Sequence, residues 1–269
     1  MEHILSLSYG KDSLACLGAI DKLGLPLDRI IHAEIWATDA IPADLPPMVE
    51  FKAKADRVIK ERYGITVEHI RAQNTYESCF YKVNNGVKSK CSGRIWGFPM
   101  PKGNWCNSSL KMSVMRKFNK PDIVQYLGIA VDEPKRFHNL SECKKSPLVM
   151  AEWTEEMCFD WCKQNGLLSP IYETSMRGGC WFCHNQSVEQ LRSLRINYPE
   201  LWELLLKWDN DSPISFKPNH TLHDFDKRFS YEDKGFLLPN DTKFRWNMLE
   251  CDVQLSLFNA IEPNVECKM

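Results

Sequence analysis

Residues 4–20 read ILSLSYGKDSLACLGAI. The apolar run at 4–7 predicts a short buried β-strand, and the apolar run at 14–20 predicts a buried helix. Between them lies a polar loop, residues 8–13, with Gly10 near its centre. A strand that passes through a short polar loop directly into a helix is the opening half of a β-α-β unit, so this stretch predicts an α/β fold.

The rest of the chain continues this alternation. Further strands are predicted at 29–35, 66–70 and 123–129, and helices at about 48–63, 111–118 and 154–165, with one long helix or a pair of helices over 188–208. We therefore expect a doubly wound parallel sheet, followed by a helical, cysteine-containing C-terminal extension. The expected domains are an α/β domain over residues 1–150, a helical region over 151–210 and an extension over 211–269. Beyond residue 209 the sequence is polar and rich in turn-forming residues.

The composition limits the classes of protein to which the chain can belong. It has 269 residues, of which 43% are hydrophobic, enough for one large domain with a smaller appendage. Thirty-four basic and 35 acidic residues give a net charge of −1, so no overall field indicates nucleic acid or anionic membrane as a partner. The first residues are too few and too polar for a signal peptide, and no apolar run approaches the length of a membrane span. We expect a cytoplasmic protein with no membrane contact.

The loop at residues 8–13 has the composition of an anion-binding turn. Its backbone N–H groups and the N-terminus of the following helix favour negative charge, while Ser8 and Ser13 add hydroxyl donors. Gly10 would allow an oxygen atom to approach the backbone closely, and Lys11 would add charge. The alternative is an ordinary strand-to-helix turn in which Asp12 or Ser13 caps the helix.

This loop resembles the Ser-Gly-Gly-x-Asp-Ser loop of the PP-loop ATP-pyrophosphatase (adenine nucleotide alpha-hydrolase-like) superfamily, with Tyr9 in place of a glycine. Residues 105–111, WCNSSLK, are similar to the Trp-Cys-x-x-x-Leu-Lys segment of its phosphoadenosine phosphosulfate (PAPS) reductase-like branch. Residues 128–136, GIAVDEPKR, resemble that branch's Gly-Ile-Arg-x-x-Glu-Ser-x-x-Arg segment, although Ala130 and Pro134 replace its arginine and serine. Later landmarks at 146–148, 153–154 and 169–172 follow in the same order.

The resemblance implies an enzyme that binds ATP or a related adenine nucleotide, with Mg²⁺, for sulfur transfer or substrate adenylylation. Lys111, Asp132 and Arg136 would line the anion side, and Asp39 would lie near the adenosine. The alternatives are a turn-forming role for Asp39 and solvated surface positions for Lys111 and Arg136. The expected nucleotide-binding residues are Ser8, Tyr9, Gly10, Lys11, Asp12, Ser13 and Asp39, and the expected catalytic residues are Lys11, Asp12, Lys111 and Arg136.

Eleven cysteines are many for a chain expected in a reducing compartment, where they indicate metal ligation, redox chemistry or simple burial. Residues 178–183, GGCWFC, place two thiols at a spacing that can chelate one metal ion. The resemblance brings Cys106 to the same edge of the sheet as Cys180 and Cys183, as a third ligand. Candidates for a fourth ligand are Cys143, Cys162 and His184. A [4Fe–4S] cluster, a zinc ion and a Cys-x-x-Cys redox pair all remain open, whereas Cys16 and Cys158 are expected in the core.

The C-terminal residues suggest two further functions. PAPS reductases carry a catalytic cysteine in a terminal Glu-Cys-Gly-Leu-His segment, and this chain ends Glu266-Cys267-Lys268-Met269. A true PAPS reductase that uses Cys267 is therefore an alternative. Residues 254–258, QLSLF, are similar to the peptide with which bacterial proteins bind the DNA sliding clamp. Here Gln254, Leu255, Leu257 and Phe258 would bind a clamp groove, and a non-catalytic clamp- or nucleic-acid-associated factor is the second alternative.

Overall fold

Five parallel strands form the centre of the protein. The structure is a computed structural model that describes residues 1–86, 92–100, 104–138, 140–174 and 179–249. The strand order is β3-β2-β1-β4-β5, and every neighbouring pair is parallel. The strands are β1 (Glu2–Ser6), β2 (Arg29–Glu34), β3 (Val67–Arg71), β4 (Ile123–Tyr126) and β5 (Lys144–Lys145). The predicted parallel α/β sheet is confirmed.

The first strand shows why these residues pair as they do. Successive side chains of a strand point to opposite faces of the sheet. Leu5 accordingly belongs to the larger hydrophobic core, and Ile4 to a second cluster with Ile31, Phe118 and Ile123. Both faces of β1 are thus buried, as expected for the central strand of a parallel sheet.

Helices cover both faces of the sheet. The first unit contains α1 (Lys11–Leu23), α2 (Pro46–Tyr63), α3 (Tyr76–Phe80), α4 (Ser113–Met115), α5 (Pro134–Phe137), α6 (Pro147–Met150), α7 (Glu155–Gln164) and α8 (Ile171–Thr174). A π-helical turn, Asn107–Met112, precedes α4, and a 3₁₀ turn, Arg116–Phe118, follows it. Helix α1 ends where Gly24 adopts a left-handed conformation with φ of 59°, which glycine adopts without strain.

The chain folds as two compact units, Met1–Cys183 and His184–Met269. The second unit contains α9 (Val188–Asn197), α10 (Pro199–Asp211), α11 (Leu222–Asp233) and a 3₁₀ turn, Trp246–Leu249. Within it, Arg192 and Arg228 both bind the buried carboxylate of Glu232. The division predicted at residues 150 and 210 stays a prediction.

Two expectations for the second unit are decided by the structure. The predicted helix at 188–208 is a pair, because Pro199 begins a new helix after Tyr198. The prediction of turns beyond residue 209 was wrong for α11, which Thr221 caps and which buries Leu222 and Phe229.

In the described ranges, none of the helices has the length and apolar character that crossing a bilayer requires.

Candidate functional site

The loop after β1 is held in shape by Ser13. The Ser13 hydroxyl oxygen accepts hydrogen bonds from the backbone N–H of Ser8 at 3.1 Å and from the Ser8 hydroxyl at 3.0 Å. It donates to the carbonyl oxygen of Gly10 at 3.0 Å. Because Ser13 binds both ends of the loop, its hydroxyl closes the turn and does not cap α1.

The N-terminus of α1 is only partly satisfied. Gly10 is the N-cap residue and makes no side-chain cap hydrogen bond. The Lys11 N–H donates to the hydroxyl of Tyr172 at 3.0 Å. Among the described residues, the backbone N–H groups of Asp12 and Ser13 have no acceptor. The positive end of the helix dipole and these N–H groups together favour an anion at this position.

Gly128, just after β4, lets the chain pack directly on this first helical turn. A Cβ atom at position 128 would lie 2.6 Å from the backbone nitrogen of Ser13 and 2.7 Å from the carbonyl carbon of Asp12. Real Cβ atoms do not approach so closely, so only glycine fits. Gly10 is different: its φ is −76° and an added Cβ would meet ordinary contacts at 3.5 Å. Gly128, and not Gly10, is therefore the glycine that a close approach requires, and the approach is between two parts of the protein's own backbone.

A cleft of about 340 Å³ opens beside the loop. Such a volume lies in the range of small-molecule sites. The loop contributes Ser8, Tyr9 and Gly10 to the wall. The remaining lining residues come from the ends of the strands and from α2, the π-helical turn and the cysteine segment: His32, Ala33, Ile35, Ala43, Asp44, Met48, Lys52, Lys111, Ile171, Tyr172, Gly179 and Cys180. The cleft thus lies at the carboxyl edge of the parallel strands, where ligands of α/β proteins bind.

Tyr9 anchors the middle of the loop. Its φ is 57°, a left-handed conformation that is unfavourable for a residue with a side chain. Its ring is fully buried, and its hydroxyl donates to the Asp56 carboxylate and lies 3.1 Å from Nε2 of His69. Burial and the neighbouring carboxylate of Asp56 raise the pKa of Tyr9, so the phenol stays protonated. The side chain that replaces glycine in the motif is therefore fixed from α2 and β3.

One wall of the cleft carries a charged group that the sequence did not indicate. His32 Nδ1 lies 2.9 Å from the carbonyl oxygen of Leu7, so Nδ1 carries the proton and donates. Nε2 then accepts from the Lys52 ammonium, at 2.9 Å, and Lys52 also binds Asp44. Burial and the charge of Lys52 lower the pKa of His32 to about 3, so the imidazole is neutral at physiological pH. The wall therefore presents one lysine whose charge Asp44 partly balances.

Lys11 lies outside the cleft lining. Its ammonium binds Asp12 at 2.7 Å and Glu155 of α7 at 2.8 Å. Burial lowers the pKa of Lys11, but the two carboxylates outweigh this effect and raise it to about 12. Asp132 accepts the backbone N–H of Glu155 at 3.2 Å, which fixes the start of α7. The catalytic roles expected of Lys11 and Asp12 stay predictions, and the geometry shows both side chains already paired.

The other predicted polar residues differ in whether they line the cleft. Lys111 lines the cleft and is exposed to it. Partial burial, Lys52 and Arg136 lower the pKa of Lys111, and the Cys180 thiol opposes them. Arg136 binds its own neighbour Glu133 at 2.6 Å. Asp39 lies exposed in the turn after β2 and does not line the cleft.

The three predicted cysteine ligands lie close enough to influence one another. Burial and then Cys183 raise the pKa of Cys106 to about 11. Burial, Cys183 and Cys106 also raise the pKa of Cys180. Tyr76 of α3 lies among them. Burial and then the three thiols raise the pKa of its hydroxyl, and its ring centre lies 4.1 Å from that of Phe182. These thiols supply the soft donors that iron or zinc prefers.

The arrangement of these thiols is not that of a formed coordination sphere. Over the described ranges, no three His, Cys, Asp or Glu side chains are grouped so that they could hold a metal ion. Cys162 is separate from this cluster, because it donates to the carbonyl oxygen of Lys11 at 3.2 Å. Cys79 of α3 acts on Cys106 and was missed by the sequence reasoning. A metal centre therefore stays a prediction, whereas Cys16 and Cys158 are buried in the core as predicted.

Some predicted residues lie outside the described residues. These are Gly178, the peptide at 254–258 with Gln254, Leu255, Leu257 and Phe258, and the terminal Cys267.

Comparisons with models of protein families, with curated proteins and with solved structures found no match to this chain. The firm result is a five-stranded parallel sheet with flanking helices, a fold compatible with nucleotide binding.

Proposed function

We propose that the cleft binds the phosphate groups of an adenine nucleotide, ATP or a relative of it, against the loop at residues 8–13. The observation that carries this proposal is the N-terminus of α1, where the N–H groups of Asp12 and Ser13 have no acceptor among the described residues. The hydroxyl of Ser8 and the ammonium of Lys111 border the same cleft. Backbone N–H groups, a hydroxyl and a lysine are the donors that phosphates bind.

The chemistry we propose is cleavage of ATP at the α–β bond, as in PP-loop ATP-pyrophosphatases, to adenylylate a substrate or activate it for sulfur transfer. An acceptor oxygen would attack the α-phosphorus, and pyrophosphate would leave with the electron pair of the broken bond. Negative charge grows on the leaving phosphates during this step. Fixed donors at the loop, together with Lys111 and Lys52, would stabilise that charge.

Mg²⁺ would supply further charge neutralisation when it is bound. The carboxylates nearest the loop are already engaged, since Asp12 binds Lys11 and Asp44 binds Lys52. We therefore propose that Mg²⁺ enters with the nucleotide and is held mainly by phosphate oxygens, as is common for this ion. An iron–sulfur cluster or zinc at Cys106, Cys180 and Cys183 remains part of the proposal, with no step routed through it.

Calorimetric titration of ATP and Mg²⁺ into the wild-type chain and into Gly10→Ala tests the phosphate site. The added methyl group is free of backbone strain and would lie 3.5 Å from the hydroxyls of Ser8 and Tyr172, at the mouth of the loop. We expect a folded variant with a thermal midpoint close to wild type and an ATP affinity at least tenfold weaker, since losing about 1.4 kcal/mol of contacts suffices.

Gly179→Ala is the matched control, because Gly179 lines the same cleft and an added Cβ there meets nothing within 4 Å. The control should bind ATP more tightly than Gly10→Ala does. Equal weakening in both variants would mean that the methyl groups merely crowd the cleft. A wild-type protein that binds no adenine nucleotide would refute the proposed function.

A further inference from the structure

One long segment of the chain carries only positive charge. Residues 78–121 contain nine lysines and arginines and no aspartate or glutamate. The whole chain has 35 acidic residues in 269, so about six would be expected in a stretch of this length. The net charge of −1 hides this concentration, because acidic residues elsewhere balance it. We call the described residues of this stretch, 78–86, 92–100 and 104–121, the basic segment.

The cations of the basic segment are exposed and pair with no carboxylate that the structure describes. The basic segment holds six of the nine cations, and all six are exposed: Lys82, Arg94, Lys111, Arg116, Lys117 and Lys120. None of these six binds a carboxylate of the described chain. Some cations elsewhere are paired: Lys11, Arg29 and Arg195 each bind two carboxylates. The basic segment therefore offers charge that no described carboxylate neutralises in an ion pair.

Aromatic rings lie between these cations. The ammonium of Lys82 lies 4.9 Å from the centre of the Trp96 ring, and the rings of Trp96 and Trp105 are 5.7 Å apart. Both indoles are partly exposed. The strand-like pairing of Val83 with Ile95 holds this group together. Alternating cations and half-exposed aromatic rings are the features on which unpaired bases stack while phosphates meet lysine and arginine.

The basic segment leads into the cleft. Trp105 packs on Tyr76 with ring centres 4.9 Å apart, and the π-helical turn that follows carries Lys111 into the cleft wall. A chain bound along Lys82, Arg94 and Trp96 would therefore end near the place where the proposed reaction occurs.

We propose that the basic segment binds single-stranded nucleic acid and that such a strand is the acceptor substrate. The role of acceptor rests on the proposed function, whereas binding itself does not. Charge complementarity favours a polyanion, and the exposed indoles favour one with unstacked bases over a duplex. RNA and DNA share this chemistry, and the experiment distinguishes them.

The test measures fluorescence anisotropy of labelled oligonucleotides of about 20 nucleotides, as RNA, as DNA of the same sequence and as a DNA duplex, without added ATP. The variant Lys82→Ala with Arg94→Ala removes two exposed cations of the basic segment. Lys54→Ala with Arg57→Ala removes two exposed cations from α2 and is the control with equal charge change. Circular dichroism verifies that both variants are folded.

We expect single strands to bind more tightly than the duplex, and the preferred sugar identifies RNA or DNA. Each lost phosphate contact lowers the salt slope by about 0.7, so the double variant should bind about tenfold more weakly at ~0.15 M salt. The control should stay within about twofold of wild type. The proposal is overturned if neither single strand binds, if the duplex binds as tightly, or if the control loses as much affinity. ATP titration is a separate measurement: a wild-type protein that binds single strands but no adenine nucleotide would refute only the proposed function.

Discussion

Two variants of Tyr9, Tyr9→Phe and Tyr9→Gly, should rank in one order by stability and in the opposite order by nucleotide affinity. Tyr9→Phe removes the hydroxyl that binds Asp56 and keeps the ring and the φ of 57°. A hydrogen bond to a charged group contributes about 1.5–3 kcal/mol, and Asp56 still has His69 as a partner, so we expect a loss of about 2 kcal/mol in the free energy of unfolding. The left-handed backbone at position 9 costs about 1–2 kcal/mol, which the lost hydrogen bond no longer offsets.

The unbalanced strain sets the expected loss of affinity. If about 1.4 kcal/mol of strain is left uncompensated, roughly one loop in ten keeps the shape that binds, so the Kd for ATP rises about tenfold. Tyr9→Gly relieves the strain but removes a fully buried ring, at a cost in stability of about 3 kcal/mol or more. The glycine variant should therefore be less stable than the phenylalanine variant and yet bind ATP more tightly.

Urea denaturation and ATP calorimetry on the three proteins measure the two orders. Tyr63→Phe is the matched control, because the Tyr63 hydroxyl also lies near a carboxylate, that of Asp21, which contributes with burial to raising its pKa, and Tyr63 does not line the cleft. Its ATP affinity should equal that of wild type. If affinity simply follows stability across the Tyr9 variants, Tyr9 supports the fold and does not set the loop shape, and the reasoning is refuted.

Four further predictions concern packing, pH and metal. Gly128→Ala should weaken ATP binding and destabilise the fold by about 1–3 kcal/mol, as calorimetry and denaturation would measure, because the first turn of α1 must move. Gly18→Ala should destabilise comparably, because the added Cβ atom would collide with the Trp161 ring, but ATP affinity should be unchanged at a temperature at which the variant is folded. The folded-state pKa of His32, about 3, lies below its unfolded value, so the contribution of His32 to the free energy of unfolding is lost as pH falls from about 6.5 towards 3. Over this range the free energy of unfolding of His32→Gln should fall less steeply than that of wild type, by about 1.4 kcal/mol per pH unit. Protein purified without oxygen should contain iron or zinc by elemental analysis, and Cys183→Ala should lose most of it; metal-free wild-type protein would contradict this.

The strands of the core could be anticipated because their signals are local. Short segments rich in Ile, Leu and Val, separated by glycine and proline, mark β1 to β4, and Gly24 and Gly64 lie at the ends of α1 and α2. The short β5 carried no such signal, since both of its residues are lysines and only its position beside β4 makes it a strand. Helix α11 was missed because its buried residues are separated by charged ones.

The candidate site was only partly predictable. The loop and the cysteines form short motifs that can be read directly. The lysine and histidine of the cleft wall carry no motif, because Lys52 and His32 meet only when α2 packs beside β2. The pairing of Lys11 with Glu155 joins residues 144 positions apart and depends on how α1 packs against α7.

The π-helical turn at Asn107–Met112 has a mechanical consequence. In such a turn the backbone hydrogen bonds span five residues, which is the separation of Cys106 and Lys111. An anion that draws Lys111 towards it would pull on the same turn that carries the thiol. Binding of an anion at Lys111 should therefore displace Cys106. The rate at which Cys106 reacts with an alkylating reagent would then report on a ligand that does not contact Cys106.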